Sequence, residues 1–247
     1  MYYYIMEPAG KKGVAWQEKV KDILGDLGIA GETVTPSPAR TIEELATLGL
    51  VKGYSTIVAV GSEKLVNKIV NCIINQKENK DVVLGIIPEN YETVMAKKIN
   101  VKDVREACSA LKSRKLEDAD ACFIEPNKYF LTEGVIESNK PADTYVITPE
   151  IKVGALINKL TIKPGLEIFI EDNSSTPSQK KFLGWLFGKK ENSIGASYFH
   201  TKTVKIEIPD GGLPIKVENE IVAKTPIVAH NRSKALKIIV ARDIINE

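Results

Sequence analysis

Two hydrophobic patterns meet in the segment Thr56-Ile57-Val58-Ala59-Val60-Gly61-Ser62-Glu63-Lys64-Leu65-Val66-Asn67-Lys68-Ile69-Val70-Asn71. The run up to Val60 is almost wholly apolar, which predicts a buried strand of a parallel sheet. Beyond Gly61 the apolar residues recur at helical spacing and predict an amphipathic helix to about Asn75. A strand that turns directly into a helix points the first N–H groups of the helix outward, where they bind phosphate and other anions.

Strands and helices alternate through the first half of the chain. Besides Thr56–Val60, strands are predicted at Tyr2–Met6, Thr33–Thr35 and Val82–Ile87. Helices are predicted between them at about 16–27, 41–48, 91–98 and 101–111, with a capping box at Thr41 and Glu44 and an N-cap at Asn100. This alternation predicts a Rossmann-like, mainly parallel sheet with helices on both sides, spanning residues 1–115.

After about Leu116 the helical patterns give way to short alternating segments separated by Gly, Pro and Asn. They predict an antiparallel β-sandwich over residues 116–247. The fold class is therefore α/β + β, with a nucleotide-binding-like first domain and a β-sandwich second domain. The sequence leaves open whether the end of the chain returns to pack on the first domain.

Composition excludes several classes of protein. The chain has 247 residues, 43% hydrophobic and 27% charged, with a net charge of +2 from interspersed charges. It lacks the basic excess of a nucleic-acid binder, so no nucleic-acid partner is predicted. Three scattered cysteines make neither a zinc site nor a disulfide framework, and no metal ligands are assigned. His200 and His230 stand in no metal or nucleophile spacing and are predicted to be structural.

The compartment is predicted to be the cytoplasm. The start of the chain, Tyr2-Tyr3-Tyr4-Ile5-Met6-Glu7-Pro8, has neither the basic residues nor the long apolar run of a secretory signal. No segment reaches the roughly 18 apolar residues that would cross a bilayer. The few cysteines fit a reducing environment.

Five ordered segments carry a resemblance to a known family. They are Met6-Glu7-Pro8-Ala9-Gly10, the strand–turn–helix above, Leu84-Gly85-Ile86-Ile87-Pro88, Ser197–Glu207, and Val217-Glu218-Asn219-Glu220-Ile221 with Thr225-Pro226. Together they resemble the diacylglycerol kinase catalytic-domain family, the bacterial diacylglycerol/sphingosine-type lipid kinases related in fold to NAD kinase.

The resemblance implies ATP- and Mg²⁺-dependent phosphorylation of a lipid hydroxyl, with a diacylglycerol-like lipid as partner. Glu218 stands where the family carries its catalytic acid and is the candidate general base. The candidate nucleotide-binding residues are Gly61, Ser62, Glu63, Lys64 and Asn67. Each of three candidates also has an alternative, structural role. Glu218 fits an exposed residue of a turn, Glu63 fits a partner of the helix dipole, and Lys64 fits a solvated surface charge.

The nucleotide motifs depart from the family. The family has a Gly-Gly-Asp-Gly-Thr loop, of which this chain keeps only the first glycine, Gly61, followed by Ser62-Glu63-Lys64-Leu65. The family also has a second loop, Gly-Thr-Gly-Asn-Asp, and here Asn90–Val94 stands in its place. Phosphoryl transfer depends on positioned charge and backbone N–H groups, so these changes predict weak or no kinase activity. The alternative function is a non-catalytic pseudokinase that binds a lipid, a nucleotide or a partner. A dehydrogenase with the same Rossmann-like fold is a further alternative, but the sequence lacks the glycine-rich dinucleotide-binding motif that such an enzyme needs.

The segment Lys180–Lys190 carries Phe182, Trp185, Leu186 and Phe187 between two lysine pairs. This pattern predicts a membrane contact through Trp185 and Phe187, with a location peripheral to the inner face of the membrane. The alternative is that the aromatic side chains pack on the sandwich. The oligomeric state stays open.

Overall fold

The structure is a computed structural model, which describes residues 1–10, 13–76, 81–172, 196–209 and 211–242. The chain divides into two compact units. The first comprises Met1–Asp120 together with Lys234–Glu247, and the second comprises Ala121–Ser233.

The first unit is built on parallel strands. Its elements, in chain order, are β1 (Tyr2–Met6), α1 (Val14–Asp26), β2 (Glu32–Val34), α2 (Ile42–Val51), β3 (Thr56–Gly61), α3 (Glu63–Asn75), β4 (Val83–Pro88), α4 (Val94–Lys98) and α5 (Val104–Ser113). β1 pairs with β2 on one side and with β3 on the other, and β3 pairs with β4. All three pairings are parallel, as the alternation of strands and helices predicts.

The parallel strands are buried because helices cover the sheet. Every residue of β3 and of β4 is buried, and Tyr3, Tyr4 and Ile5 of β1 are fully inaccessible to solvent. This burial on both faces explains why the strands are continuous apolar runs rather than alternating patterns.

The helix starts follow local capping chemistry. Thr41 and Glu44 form the predicted capping box at α2, with both reciprocal hydrogen bonds present. The predicted N-cap at Asn100 is wrong. α5 begins after Asp103, whose Oδ1 accepts a hydrogen bond from the Glu106 N–H at 2.8 Å, whereas Asn100 has a φ of 56°. Asp103 is the better-placed of two residues that both favour N-caps.

The second unit is antiparallel. Its strands, in chain order, are β5 (Lys115–Ile124), β6 (Lys128–Phe130), β7 (Gly134–Ile147), β8 (Lys152–Lys163), β9 (Glu167–Asp172), β10 (Ala196–His200), β11 (Thr203–Glu207), β12 (Pro214–Val217), β13 (Glu220–Lys224) and β14 (Ile227–Val240). β7 pairs with β8 along one edge and with β12 and β11 along the other. The chain passes between the two units within β5 and within β14.

Several strands are longer than the sequence pattern indicates. The segments predicted at 227–229 and 236–241 belong to the single strand β14, whose polar middle, residues 230–234, masks its continuity. Its first part pairs antiparallel with β11, and Lys237 and Ile238 pair in parallel with β4 in the first unit.

The core of the second unit is aliphatic, with Ile136, Leu160, Ile168 and Ile206 fully buried. These observations confirm the predicted fold class, a parallel α/β part followed by an antiparallel β part. None of the helices in the described ranges has the length and apolar character needed to span a membrane.

Candidate functional site

Parallel strands bring three backbone segments together at one edge of the first unit's sheet. Because β1, β3 and β4 run in the same direction, the residues that follow them are neighbours. The Glu7 N–H donates to the Val60 carbonyl at 3.0 Å, and the Glu89 N–H donates to the Gly61 carbonyl at 3.1 Å. Glu7, Ser62 and Glu89 thus meet at the carboxyl ends of the strands, where open α/β sheets bind ligands.

Ser62 caps helix α3. Its backbone is extended, with φ −79° and ψ 163°, and its Oγ accepts a hydrogen bond from the Leu65 N–H at 3.4 Å. The helix behind it has 13 residues, so the partial positive charge of its aligned peptide dipoles lies at this turn. The predicted strand–turn–helix is therefore present, with its anion-attracting end at the sheet edge.

The protein supplies its own anion at this point. The Ser62 N–H donates to Oε2 of Glu7 at 2.8 Å, and the Ser62 hydroxyl donates to Oε1 of the same carboxylate at 3.1 Å. The amide of Gln17 donates to the Glu7 carbonyl oxygen at 2.5 Å and holds the backbone of that residue. Glu7 therefore occupies the Ser62 N–H, one of the backbone donors at the helix start that attract anions.

Gly61 permits this close approach. Its φ is +148°, and a Cβ atom added there would lie 2.5 Å from Oε2 and 2.8 Å from Cβ of Glu7. A glycine is therefore required both for the backbone conformation and for the seating of the carboxylate.

Glu63 and Asn67 are engaged in local structure. Oε1 of Glu63 accepts the Met95 N–H at 2.6 Å, which ties α3 to the start of α4. Asn67 is buried, and its carbonyl oxygen accepts a hydrogen bond from the Asn71 side-chain amide at 2.8 Å. Lys64 is half-buried in the first turn of α3. The nucleotide-binding roles of Glu63, Lys64 and Asn67 stay predictions.

Leu65 is a core residue. Its side chain is completely buried, as are those of Ile69 and Val70 on the same side of α3. The position that carries a phosphate-side threonine in the resembling family therefore points into the apolar interior, where a side chain contributes packing rather than a hydroxyl.

The loop after β4 is held by turn hydrogen bonds. Asn90 Oδ1 accepts the Glu92 N–H at 2.9 Å, and Thr93 caps α4 by accepting the Ala96 N–H at 3.3 Å. Burial raises the pKa of the Tyr91 hydroxyl to about 12. A half-buried tyrosine thus stands in the stretch that replaces the second glycine-rich loop.

The edge carries a second carboxylate, Glu89. Although the residue as a whole is exposed, partial burial of its carboxyl group raises its pKa, and the neighbouring negative charge of Glu7 raises it further. Two carboxylates beside one helix start make the local potential unfavourable for phosphate groups. In the described ranges, no group of three or more His, Cys, Asp or Glu residues is arranged to hold a metal ion.

Glu218 lies in the second unit, in the two-residue loop between β12 and β13. Val217 pairs with Glu220, and both loop residues have positive φ, 49° at Glu218 and 63° at Asn219. This backbone is that of a type I′ turn, in which Gly, Asn and Asp are the usual residues. Glu218 is half-buried, and its role as general base stays a prediction. Trp185 and Phe187 lie outside the described residues.

The contact between Glu7 and Ser62 was not predicted from the sequence. The available signal was Glu7 itself, a carboxylate at the turn after β1 where the resembling family has an asparagine. Its significance depends on the parallel pairing of β1 with β3, which brings together residues 55 positions apart.

Comparisons with known proteins support the fold. Neither the family models nor the curated proteins contain a match to this chain. Among solved structures, two described as a "putative diacylglycerol kinase" from Bacillus anthracis str. Sterne match with TM-scores of 0.80 and 0.79, each at 12% identity. They cover 99% and 97% of this chain, and 98% and 96% of their own.

A third structure from that organism, described as one of its diacylglycerol kinases, matches with a TM-score of 0.77 at 13% identity, over 99% of this chain and 98% of its own. The chain therefore has the fold of these lipid kinases over nearly its whole length, which confirms the fold predicted from the resemblance.

Proposed function

We propose that this protein is a non-catalytic relative of lipid kinases, which binds a diacylglycerol-like lipid and has lost the transfer of phosphate from ATP. The observation that carries this proposal is the Glu7 carboxylate on the Ser62 N–H and hydroxyl, at 2.8 and 3.1 Å. It fills the anion position of the turn with a group that belongs to the protein.

Electrostatics makes this position unfavourable for a nucleotide. A phosphate at the Ser62 N–H must either displace the Glu7 carboxylate or lie against it. Displacement breaks charge-assisted hydrogen bonds worth about 1.5–3 kcal/mol each. Two like charges about 4 Å apart repel by about 1 kcal/mol in water and about 4 kcal/mol at an effective dielectric constant of 20. Either route lowers phosphate affinity by about fivefold or more.

The neighbouring side chains do not compensate for this loss. Oε1 of Glu63 accepts the hydrogen bond that the Met95 N–H donates, so binding Mg²⁺ through that oxygen would release the start of α4. Leu65 carries no hydroxyl and is completely buried. Glu63 and Leu65 therefore fit neither the phosphates of ATP nor the magnesium ion that accompanies them.

The lipid part of the proposal comes from the fold. Two structures that share it over nearly the whole chain are described as a "putative diacylglycerol kinase", and a third as one of the diacylglycerol kinases of the same organism. With the phosphate position filled by Glu7, lipid binding is the activity that we propose this fold retains. We propose a location at the inner face of the membrane, with Trp185 and Phe187 as the contact residues.

The test uses the full chain with vesicles that contain diacylglycerol. With Mg²⁺ and ATP labelled in its γ-phosphate, we expect no labelled phospholipid above a protein-free control, and we expect the protein to float with the vesicles. Vesicles without diacylglycerol provide the control for the lipid, and the Trp185→Ala, Phe187→Ala double variant provides the control for the contact. Absence of flotation would contradict lipid binding.

A weak kinase is the second candidate, and one observation favours it. Glu218 holds φ 49°, a conformation that costs a non-glycine residue about 1–2 kcal/mol, and strained residues concentrate at functional sites. Under this candidate, label transfer to diacylglycerol occurs and the Glu218→Gln variant abolishes it. Transfer that Glu218→Gln leaves intact would contradict the role of Glu218 as base.

A further inference from the structure

Three polar side chains of the second unit form a continuous hydrogen-bonded line. Thr203 on β11 lies directly opposite His230 on β14 in the antiparallel register, and Thr203 Oγ1 is 3.1 Å from His230 Nδ1. On the other side of the ring, His230 Nε2 is 2.9 Å from Oε1 of Glu125. The order along the line is hydroxyl, imidazole, carboxylate.

The carboxylate fixes the direction of these hydrogen bonds. An ionised Glu125 only accepts, so Nε2 of His230 carries the proton that it receives. In the neutral imidazole Nδ1 is then an acceptor, and the Thr203 hydroxyl donates to it. This is the arrangement in which a histidine withdraws the proton of a hydroxyl nucleophile while an acid holds the ring in the required tautomer.

The imidazole ring is also held from the side. The ring of Phe123 stacks on it with centroids 5.8 Å apart and planes at 25°, and the Glu125 N–H donates to the Val228 carbonyl at 3.1 Å. The His230 side chain is 26% exposed and that of Glu125 is 53% exposed. The ring is thus fixed on three sides and still open to solvent, as a residue that meets a small substrate must be.

A positive charge lies beside this line. The guanidinium carbon of Arg232 is 5.0 Å from the centroid of the Phe123 ring, the ring that stacks on His230. A guanidinium in this position suits a substrate that bears a carboxylate or another anionic group.

We propose that Thr203, His230 and Glu125 form a second site, separate from the nucleotide-like turn, which accepts acyl groups from small activated carboxylic esters. Thr203 Oγ bonds to the ester carbonyl carbon, and its proton passes to His230 Nδ1. The ester C–O bond then breaks, and the departing alcohol takes that proton. Water then loses a proton to the same imidazole and attacks the acyl carbonyl carbon. The bond from that carbon to Thr203 Oγ breaks, Oγ takes the proton from the imidazolium, and the carboxylic acid is released.

The test is the acetylation of the full chain by p-nitrophenyl acetate, followed by peptide mapping. In samples quenched with acid during turnover, we expect an acetyl group on Thr203. We expect release of nitrophenol to fall about tenfold or more in Glu125→Gln and about a hundredfold or more in His230→Gln. Thr203→Val, a substitution of similar shape, should abolish the threonine adduct, and Thr203→Ser should retain it. Melting temperatures of all variants show which of them remain folded.

Two results would overturn the proposal. One is acetylation confined to lysines and other residues in a folded wild-type chain. The other is a Thr203 adduct that forms equally fast in a folded His230→Gln variant, because the hydroxyl would then react without its base. If His230→Gln fails to fold, the conservative Glu125→Gln variant decides the same question.

Discussion

The Gly61→Ala substitution will lower the free energy of unfolding by about 2–6 kcal/mol, measured by urea denaturation. The φ of +148° at Gly61 costs a residue with a side chain about 1–3 kcal/mol. The new Cβ would also lie 2.8 Å from the Cβ of Glu7 and 2.5 Å from its Oε2. Overpacking of this kind adds about 1–3 kcal/mol, so the carboxylate must leave Ser62 or the turn must shift.

Two other glycines separate these contributions. Gly53 also has a positive φ, +76°, but no atom lies within 4 Å of an added Cβ, so Gly53→Ala should cost only about 1–2 kcal/mol. Gly25 lies within α1 with open space around it, and Gly25→Ala should stabilise the protein by up to about 1 kcal/mol. Equal losses at positions 61 and 53 would contradict the close seating of Glu7.

The Leu65→Thr substitution, which introduces the residue found in the family that the sequence resembles, will destabilise the chain by about 2–4 kcal/mol without creating affinity for ATP. Leu65 is completely buried, so the substitution removes apolar volume and places a hydroxyl in the core. Urea denaturation measures the loss. Leu65→Met, which nearly conserves volume, should cost less than about 1.5 kcal/mol.

The Leu65→Thr result distinguishes between two interpretations of the loop after β3. If the family threonine restored nucleotide binding at little cost in stability, the loop would be a kinase loop with one altered contact. A large loss of stability with no binding means that the helix start has been rebuilt as part of the core.

The fold could be predicted from the sequence because local and global signals agree along the first half of the chain. The apolar run before Gly61 and the helical spacing after it specify β3 and α3 almost to the residue. The second half is less explicit. β14 carries five consecutive polar residues, 230–234, within a single strand. The alternation of apolar and polar residues is therefore interrupted although the strand continues.

The candidate site could be located from the sequence but its occupant could not. Gly61 and Ser62 identify the helix start, whereas Glu7 belongs to the turn after a different strand. The contact between Thr203 and His230 could not be predicted for the same reason. The register of two paired strands places these residues opposite each other, and no sequence spacing relates them. Contacts of this kind depend on strand pairing, and a single sequence does not encode pairing in any short pattern.

We propose that the Glu7 carboxylate fills the position where a kinase of this fold would hold a nucleotide phosphate. The most direct test is the melting temperature of the intact chain without and with millimolar Mg-ATP. A ligand present at a hundred times its dissociation constant stabilises a protein by about 2.7 kcal/mol, which is a shift of several degrees. We predict that Mg-ATP leaves the melting temperature unchanged. A rise that saturates with Mg-ATP concentration would contradict the account.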